Sequence, residues 1–130
     1  MDKTQKILLV DDDLTVLTNL AAYLEDEGYG VLKAQDAEVA LDLIAQHDTD
    51  ADDRIIAIVD IRLPGLDGNE LIVKCLQKTT HTKFIIHTGS TDYEIPAELE
   101  SSPAVSNNIF RKPIYNMHDY VVEIEKLRNE

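Results

Sequence analysis

Residues 55–68 read Ile-Ile-Ala-Ile-Val-Asp-Ile-Arg-Leu-Pro-Gly-Leu-Asp-Gly. The apolar, β-branched run has the length of a buried strand, and it ends on Asp60 shortly before a Pro-Gly turn. A carboxylate is thereby carried from a core strand to an exposed edge, where the reactive groups of an open α/β sheet sit. Other runs end in the same manner. Ile7-Leu8-Leu9-Val10 opens onto Asp11-Asp12-Asp13, Phe84-Ile85-Ile86-His87 onto Thr88-Gly89-Ser90, and Ile109-Phe110-Arg111 onto Lys112-Pro113. If these strands are parallel, acidic groups, a hydroxyl and an ammonium converge at one edge, the inventory that holds a divalent metal and a phosphoryl group.

Between these runs the apolar residues recur at helical spacing. Strand 6–10 is followed by Leu17, Leu20, Ala21 and Leu24, a helix that Gly28 and Gly30 stop before a second strand at 30–34. Asp36 caps a helix burying Ala37, Ala40, Leu41 and Ile44, and the stretch from His47 to Arg54 reads as a loop whose acids keep it solvated. Asp67 and Glu70 have capping-box spacing before a helix burying Leu71, Ile72, Cys75 and Leu76. Strands are expected at 55–60, 83–88 and about 108–112, and a last helix is expected to bury Met117, Tyr120, Val121, Ile124 and Leu127. Within 92–106, Pro96 and Pro103 bracket only a short helix-compatible stretch. Strands alternating with helices give a parallel sheet with right-handed crossovers. The fold class expected is α/β, a flavodoxin-like doubly wound five-stranded parallel sheet in the order 2-1-3-4-5, flanked by about five helices.

The 130 residues suit one domain, 1–130, and 44% hydrophobic with 28% charged residues is the balance of an ordinary globule. No apolar run approaches the roughly 18 to 20 residues of a membrane-spanning helix, and the N-terminus leads into a strand, so a cytoplasmic location without membrane insertion is expected. The formal charge of −13 argues against direct nucleic-acid binding, which needs clustered Lys and Arg. Cys75, the one cysteine, excludes an internal disulfide and falls on an apolar helix face as a structural thiol.

In the order 2-1-3-4-5 the first and third strands are central neighbours, so Asp11, Asp12 and Asp60 face one another. Carboxylates that close repel, which raises their pKa values or calls for a cation, and oxygen ligands at a surface crevice suit Mg²⁺. Thr88 and Lys112 are placed to meet phosphoryl oxygens. Taken in order, Val10-Asp11-Asp12-Asp13, Val59-Asp60 with Pro64 and Asp67-Gly68, His87-Thr88-Gly89 and Lys112-Pro113 resemble the receiver domain of two-component response regulators over about residues 5–128. The resemblance implies that Asp60 is the phosphoacceptor and that Asp11 and Asp12 form an acidic pair. It further implies that Asp12, Asp60 and the backbone carbonyl of Arg62 hold Mg²⁺ (or Mn²⁺), with Thr88 and Lys112 as switch and counter-charge. The partners it implies are a sensor histidine kinase or phosphotransfer protein and a downstream protein target, the chain acting as a stand-alone signalling module rather than a metabolic enzyme. It also implies a cis peptide between Lys112 and Pro113.

The pattern departs from the family at Ile109, where an aromatic residue is usual and Phe110 is its neighbour, so switching without an aromatic rotamer change is expected. Arg62, bulky and cationic, stands where it can shield an acyl phosphate from water. Asp13 reads as an N-cap, Pro64, Gly65 and Gly68 as turn residues, His87 as an edge-of-core residue, and Tyr115 with Tyr120 as packing residues of the last helix. His81 and His87 lack a partner at zinc-ligand spacing. Two other readings remain: Asp11-Asp12-Asp13-Leu14-Thr15 fits the opening of a haloacid-dehalogenase-type phosphatase with Asp11 as nucleophile and Asp13 as general acid, and a receiver-like module can bind partners without phosphorylation.

Overall fold

The structure, a computed structural model, describes residues 4–50, 53–78, 81–113 and 116–130. The expectation for Tyr115 lies outside the described residues. The strands are β1 (Lys6–Val10), β2 (Gly30–Ala34), β3 (Ile55–Asp60), β4 (Lys83–Thr88) and β5 (Val105–Arg111). All pair in parallel, in the order β2-β1-β3-β4-β5. The helices are α1 (Leu14–Asp26), α2 (Ala37–His47), α3 (Gly68–Gln77), α4 (Ala97–Glu100) and α5 (His118–Arg128).

Side-chain alternation along the strands divides the core into two layers. Leu8, Val10, Ala57, Val59, Phe84 and Ile86 point to α2, α3 and α4. Ile7, Leu9, Ile56, Ile58 and Ile85 point to α1 and α5. Because helices cover both faces, the central strands are apolar throughout instead of alternating. The expected inward residues of α1, Leu17, Leu20, Ala21 and Leu24, are the buried ones. Past the end of that helix Tyr29 N–H donates to Leu24 O and Gly28 N–H to Glu25 O, a Schellman closure that requires the positive φ of 98° at Gly28.

Local chemistry fixes the other starts and stops. Asp13 and Asp36 cap α1 and α2 through side-chain oxygens, and Asp67 with Glu70 forms the expected capping box at α3. Helix α2 runs through His47, one residue into the expected loop, because Asp48 N–H still reaches Ile44 O. The acids of that loop do more than solvate it. Asp48 accepts from the backbone N–H of Ile55 at 3.1 Å and of His81 at 2.7 Å, and Asp53 pairs with Lys6 at 3.3 Å.

Strand β5 begins three residues before the expected start at 108. A register irregularity lies between the pairs Phe84–Val105 and Ile86–Ile109, so β5 spends two extra residues there. Its polar segment is accommodated by Glu123 of α5, whose buried carboxylate accepts from Ser106 Oγ at 2.8 Å and Asn108 Nδ2 at 2.7 Å. Tyr120, Ile124 and Leu127 are buried as expected, whereas Met117 and Val121 are half-buried. Cys75 is buried, and that burial pushes its thiol up to about 11, as suits a structural residue.

Gly68 has a role that turn geometry does not describe. Its φ is not positive, but a Cβ there would collide with the Asp60 carbonyl oxygen and lie 2.8 Å from Ile61 Cα. The first turn of α3 therefore rests directly on the backbone that carries Asp60. Gly68→Ala is expected to cost about 1–3 kcal/mol, the usual penalty of overpacking, read as a lower midpoint in urea unfolding. Wild-type stability in that variant would mean that α3 can retreat freely.

Candidate functional site

The candidate site lies at the C-terminal edge of the central strands. Parallel register pairs Val10 with Val59, so Asp11, one residue on, stands beside Asp60. On the other side of β3, Asp60 pairs with His87, and His87 pairs with Phe110. Asp11 and Asp60 are 1% and 3% exposed. Between them lies Lys112, whose Nζ is 2.6 Å from Asp11 Oδ2 and 3.1 Å from Asp60 Oδ2. The lysine is aimed there by a turn in which Lys112 N–H donates to Thr88 O at 2.8 Å, and the following Lys112–Pro113 bond is cis, as the resemblance implies.

Each carboxylate is held at both oxygens. Asp11 Oδ1 accepts from Asp13 N–H at 2.9 Å, and Asp60 Oδ1 accepts from Arg62 N–H at 3.1 Å. Burial pushes both carboxyl pKa values up, with opposite net results. At Asp11, hydrogen bonds from His87, Lys112 and Asp13 outweigh burial and hold it well below the usual carboxylate range. At Asp60, burial and the neighbouring Asp11 charge prevail over Lys112, and its pKa is raised. For Lys112, burial works against the charged form, but the two aspartates overcome it and the pKa rises.

Of the residues expected at the site, Asp11, Asp60 and Lys112 meet directly, and Thr88 is fully buried at the adjoining end of β4, its Oγ1 accepting from Ser90 N–H at 3.1 Å. Asp12 and Arg62 are exposed at the rim. Asp13 spends its Oδ1 on the N–H groups of Thr15 and Val16. That is a cap, not the general acid of a phosphatase.

His87 is a correction. It is no edge-of-core residue: at 1% exposure its Nε2 lies 2.8 Å from Asp11 Oδ2 and its Nδ1 3.0 Å from the hydroxyl of Tyr120. Asp11, Asp60 and His87 each offer a ligand atom within 4.8 Å of the others, among the described residues. The sequence signal was parity, since His87 shares a face with Ile85, and that face packs on α1 and α5. Ile109 packs on the opposite layer, so the ring of Phe110 occupies the α5 side, stacked on Tyr120 with centroids 4.4 Å apart.

The family model for the response regulator receiver domain matches residues 7–119. The chain belongs to that family. This receiver is 42% identical over 92 residues to the response regulator GtcR of Aneurinibacillus migulanus, covering 71% of this chain and 35% of that one. It is 39% identical over 85 residues to the transcriptional regulatory protein CpxR of Escherichia coli K12, covering 65% and 33%. The chain thus spans about a third of the length of these relatives. Among solved structures, a CheY-like receiver domain protein from Methanospirillum hungatei superposes with TM-score 0.77 at 29% identity, covering 98% of this chain and 95% of that one. The response regulator TrrA of Thermotoga maritima, in complex with Mg(2+)-BeF, superposes with TM-score 0.75 at 27% identity, covering 95% and 99%.

Asp60 makes the receiver's stability depend on pH in a defined direction. Because the folded pKa of Asp60 is raised above 3.8, its ionisation penalises the fold as pH rises through the raised value. Metal-free Asp60→Asn is therefore expected to melt above wild type at neutral pH, with the gap closing as pH falls below the ordinary carboxylate value. A gap that widens on acidification would mean that Lys112 more than neutralises Asp60.

Proposed function

We propose that this receiver accepts a phosphoryl group on Asp60 from the phosphohistidine of a sensor histidine kinase or phosphotransfer protein. The observation that carries the reading is the buried pair Asp11 and Asp60 spanned by Lys112 Nζ, at 2.6 Å and 3.1 Å. The donors fit a hard divalent cation: Asp60 stays short of positive charge despite Lys112, and Asp11, Asp12, Asp60 and the Arg62 carbonyl offer oxygen alone. These residues would hold Mg²⁺ (or Mn²⁺), which would supply charge neutralisation for the carboxylates and the incoming phosphoryl oxygens.

In the transfer an Asp60 carboxylate oxygen forms a bond to phosphorus as the P–N bond of phosphohistidine breaks, the imidazole leaving with the electron pair. Arg62 N–H fixes the rotation of the Asp60 carboxylate for in-line approach. Lys112 supplies positive charge to the phosphoryl oxygens, and the Thr88 hydroxyl donates to one of them. Exposed Arg62 shields the acyl phosphate from water. Residues 1–130 act as one signalling unit in the cytoplasm, transmitting the change through altered protein contacts and not through turnover of a metabolite. Support comes from the relatives named as response regulators and from the neighbour in complex with Mg(2+)-BeF.

Labelling by a small acyl phosphate donor such as acetyl phosphate is expected to require Mg²⁺ and to be confined to Asp60. Intact mass decides it. One phosphoryl on wild type and none on Asp60→Asn is the expected pair, and full labelling of Asp60→Asn overturns the assignment.

The signal leaves through Thr88 and 89–111 without an aromatic rotamer change. Helix α4 is only four residues long, and Arg111 ties the loop before it through Ser90 O at 2.6 Å and Tyr93 O at 3.1 Å. A pull on Thr88 therefore reaches a weakly built segment. Hydrogen exchange with and without beryllofluoride plus Mg²⁺ is expected to change across 89–111. Changes confined to residues near 11–12 and 60 would place the output on another face.

A further inference from the structure

Asp11 is gripped from a direction that the phosphoacceptor chemistry does not require. His87 lies on β4 and Asp11 at the end of β1, with β3 between them, so the imidazole spans a whole strand to place Nε2 2.8 Å from Asp11 Oδ2. The carboxylate of Asp11 only accepts, so Nε2–H donates to it, and Nδ1 on the far side of the ring faces the Tyr120 hydroxyl at 3.0 Å. Tyr120 is itself fully buried and held in place by Phe110, stacked at 4.4 Å and 22°. A linked row results: Phe110 stacks on Tyr120, Tyr120 holds Nδ1 of His87, and His87 holds Asp11.

We propose that His87 is a positioning residue for the cation site, orienting Asp11 through Nε2–H while the Tyr120 hydroxyl holds the far nitrogen of the ring. The inference rests on the receiver reading above. Lys112 also grips Asp11 Oδ2, but an ammonium on a flexible stem is drawn to whichever anion is nearest, including a phosphoryl group on Asp60. The imidazole has no such freedom, because the buried hydroxyl of Tyr120, itself stacked on Phe110, holds its far side. Asp11 thus keeps one orientation whether or not Lys112 turns away. Outer-shell partners of this kind set ligand direction in metal sites, and losing one costs about 10–100-fold in metal affinity.

The test uses the full chain as wild type, His87→Leu, His87→Gln and Tyr120→Phe. Mn²⁺ affinity of the unphosphorylated proteins is read from the electron paramagnetic resonance of free Mn²⁺, and labelling by acetyl phosphate is followed by intact mass. Binding weaker by about tenfold in His87→Leu, largely recovered in His87→Gln, whose amide N–H replaces Nε2–H, is the expected pattern. Nitrogen-15 NMR of the His87 ring is expected to find Nε2 protonated in wild type. Equal Mn²⁺ affinity in all four proteins overturns the proposal, as does equal loss in the Leu and Gln variants or a bare Nε2 in wild type. Should His87→Leu fail to fold, Tyr120→Phe decides: weaker Mn²⁺ binding on loss of the hydroxyl supports the role, and wild-type affinity in that variant overturns it. Wild type that takes no label on Asp60 would instead sink the receiver reading, so the two failures are distinct.

Discussion

Two carboxylates buried side by side, with one ammonium between them, are the constraint around which this molecule is arranged. Parallel register of β1 on β3 forces Asp11 and Asp60 together. The turn after β5 returns Lys112 to both of them. Like charges in a low-dielectric crevice are tolerated only while each is compensated, and Asp60 is not fully compensated. That residual imbalance is what the proposed cation would offset. The same edge of the sheet is thus both the least comfortable part of the fold and its chemically useful part.

The rest of the structure holds these charges still. Asp13 N–H and Arg62 N–H fix one oxygen of each aspartate, while Gly68 lets α3 press on the backbone of Asp60. Each removes a degree of freedom that the carboxylate would otherwise have to lose in the proposed transfer.

Strand parity then divides the surroundings of the site between two layers. His87 and Phe110 share the face that packs on α1 and α5, through Tyr120. Ile109 belongs to the opposite layer, as does Leu99 of the short helix α4. Placing the aromatic at 110 instead of 109 therefore moves the ring from one layer to the other. The α4 side is left to Thr88, and the α5 side gains a buried polar link to Asp11.

The sequence by itself determined the strands β1 to β4, the faces of the helices, the caps at Asp13, Asp36 and Asp67, and the candidate residues Asp11, Asp60, Thr88 and Lys112. These are local features: period, capping chemistry and the residue type at a strand end are all set within a few positions. The start of β5 at Val105 was not legible, because its polar residues are satisfied by Glu123 on a helix that follows later in the chain. Gly68 looked like a turn residue because only the folded chain brings its missing side chain against Asp60. His87 was decided by tertiary structure alone, since its partners lie 76 and 33 residues away. Parity could assign its face, but which buried groups meet on that face depends on strand order, register and the seating of α5, none of which any local stretch of sequence carries.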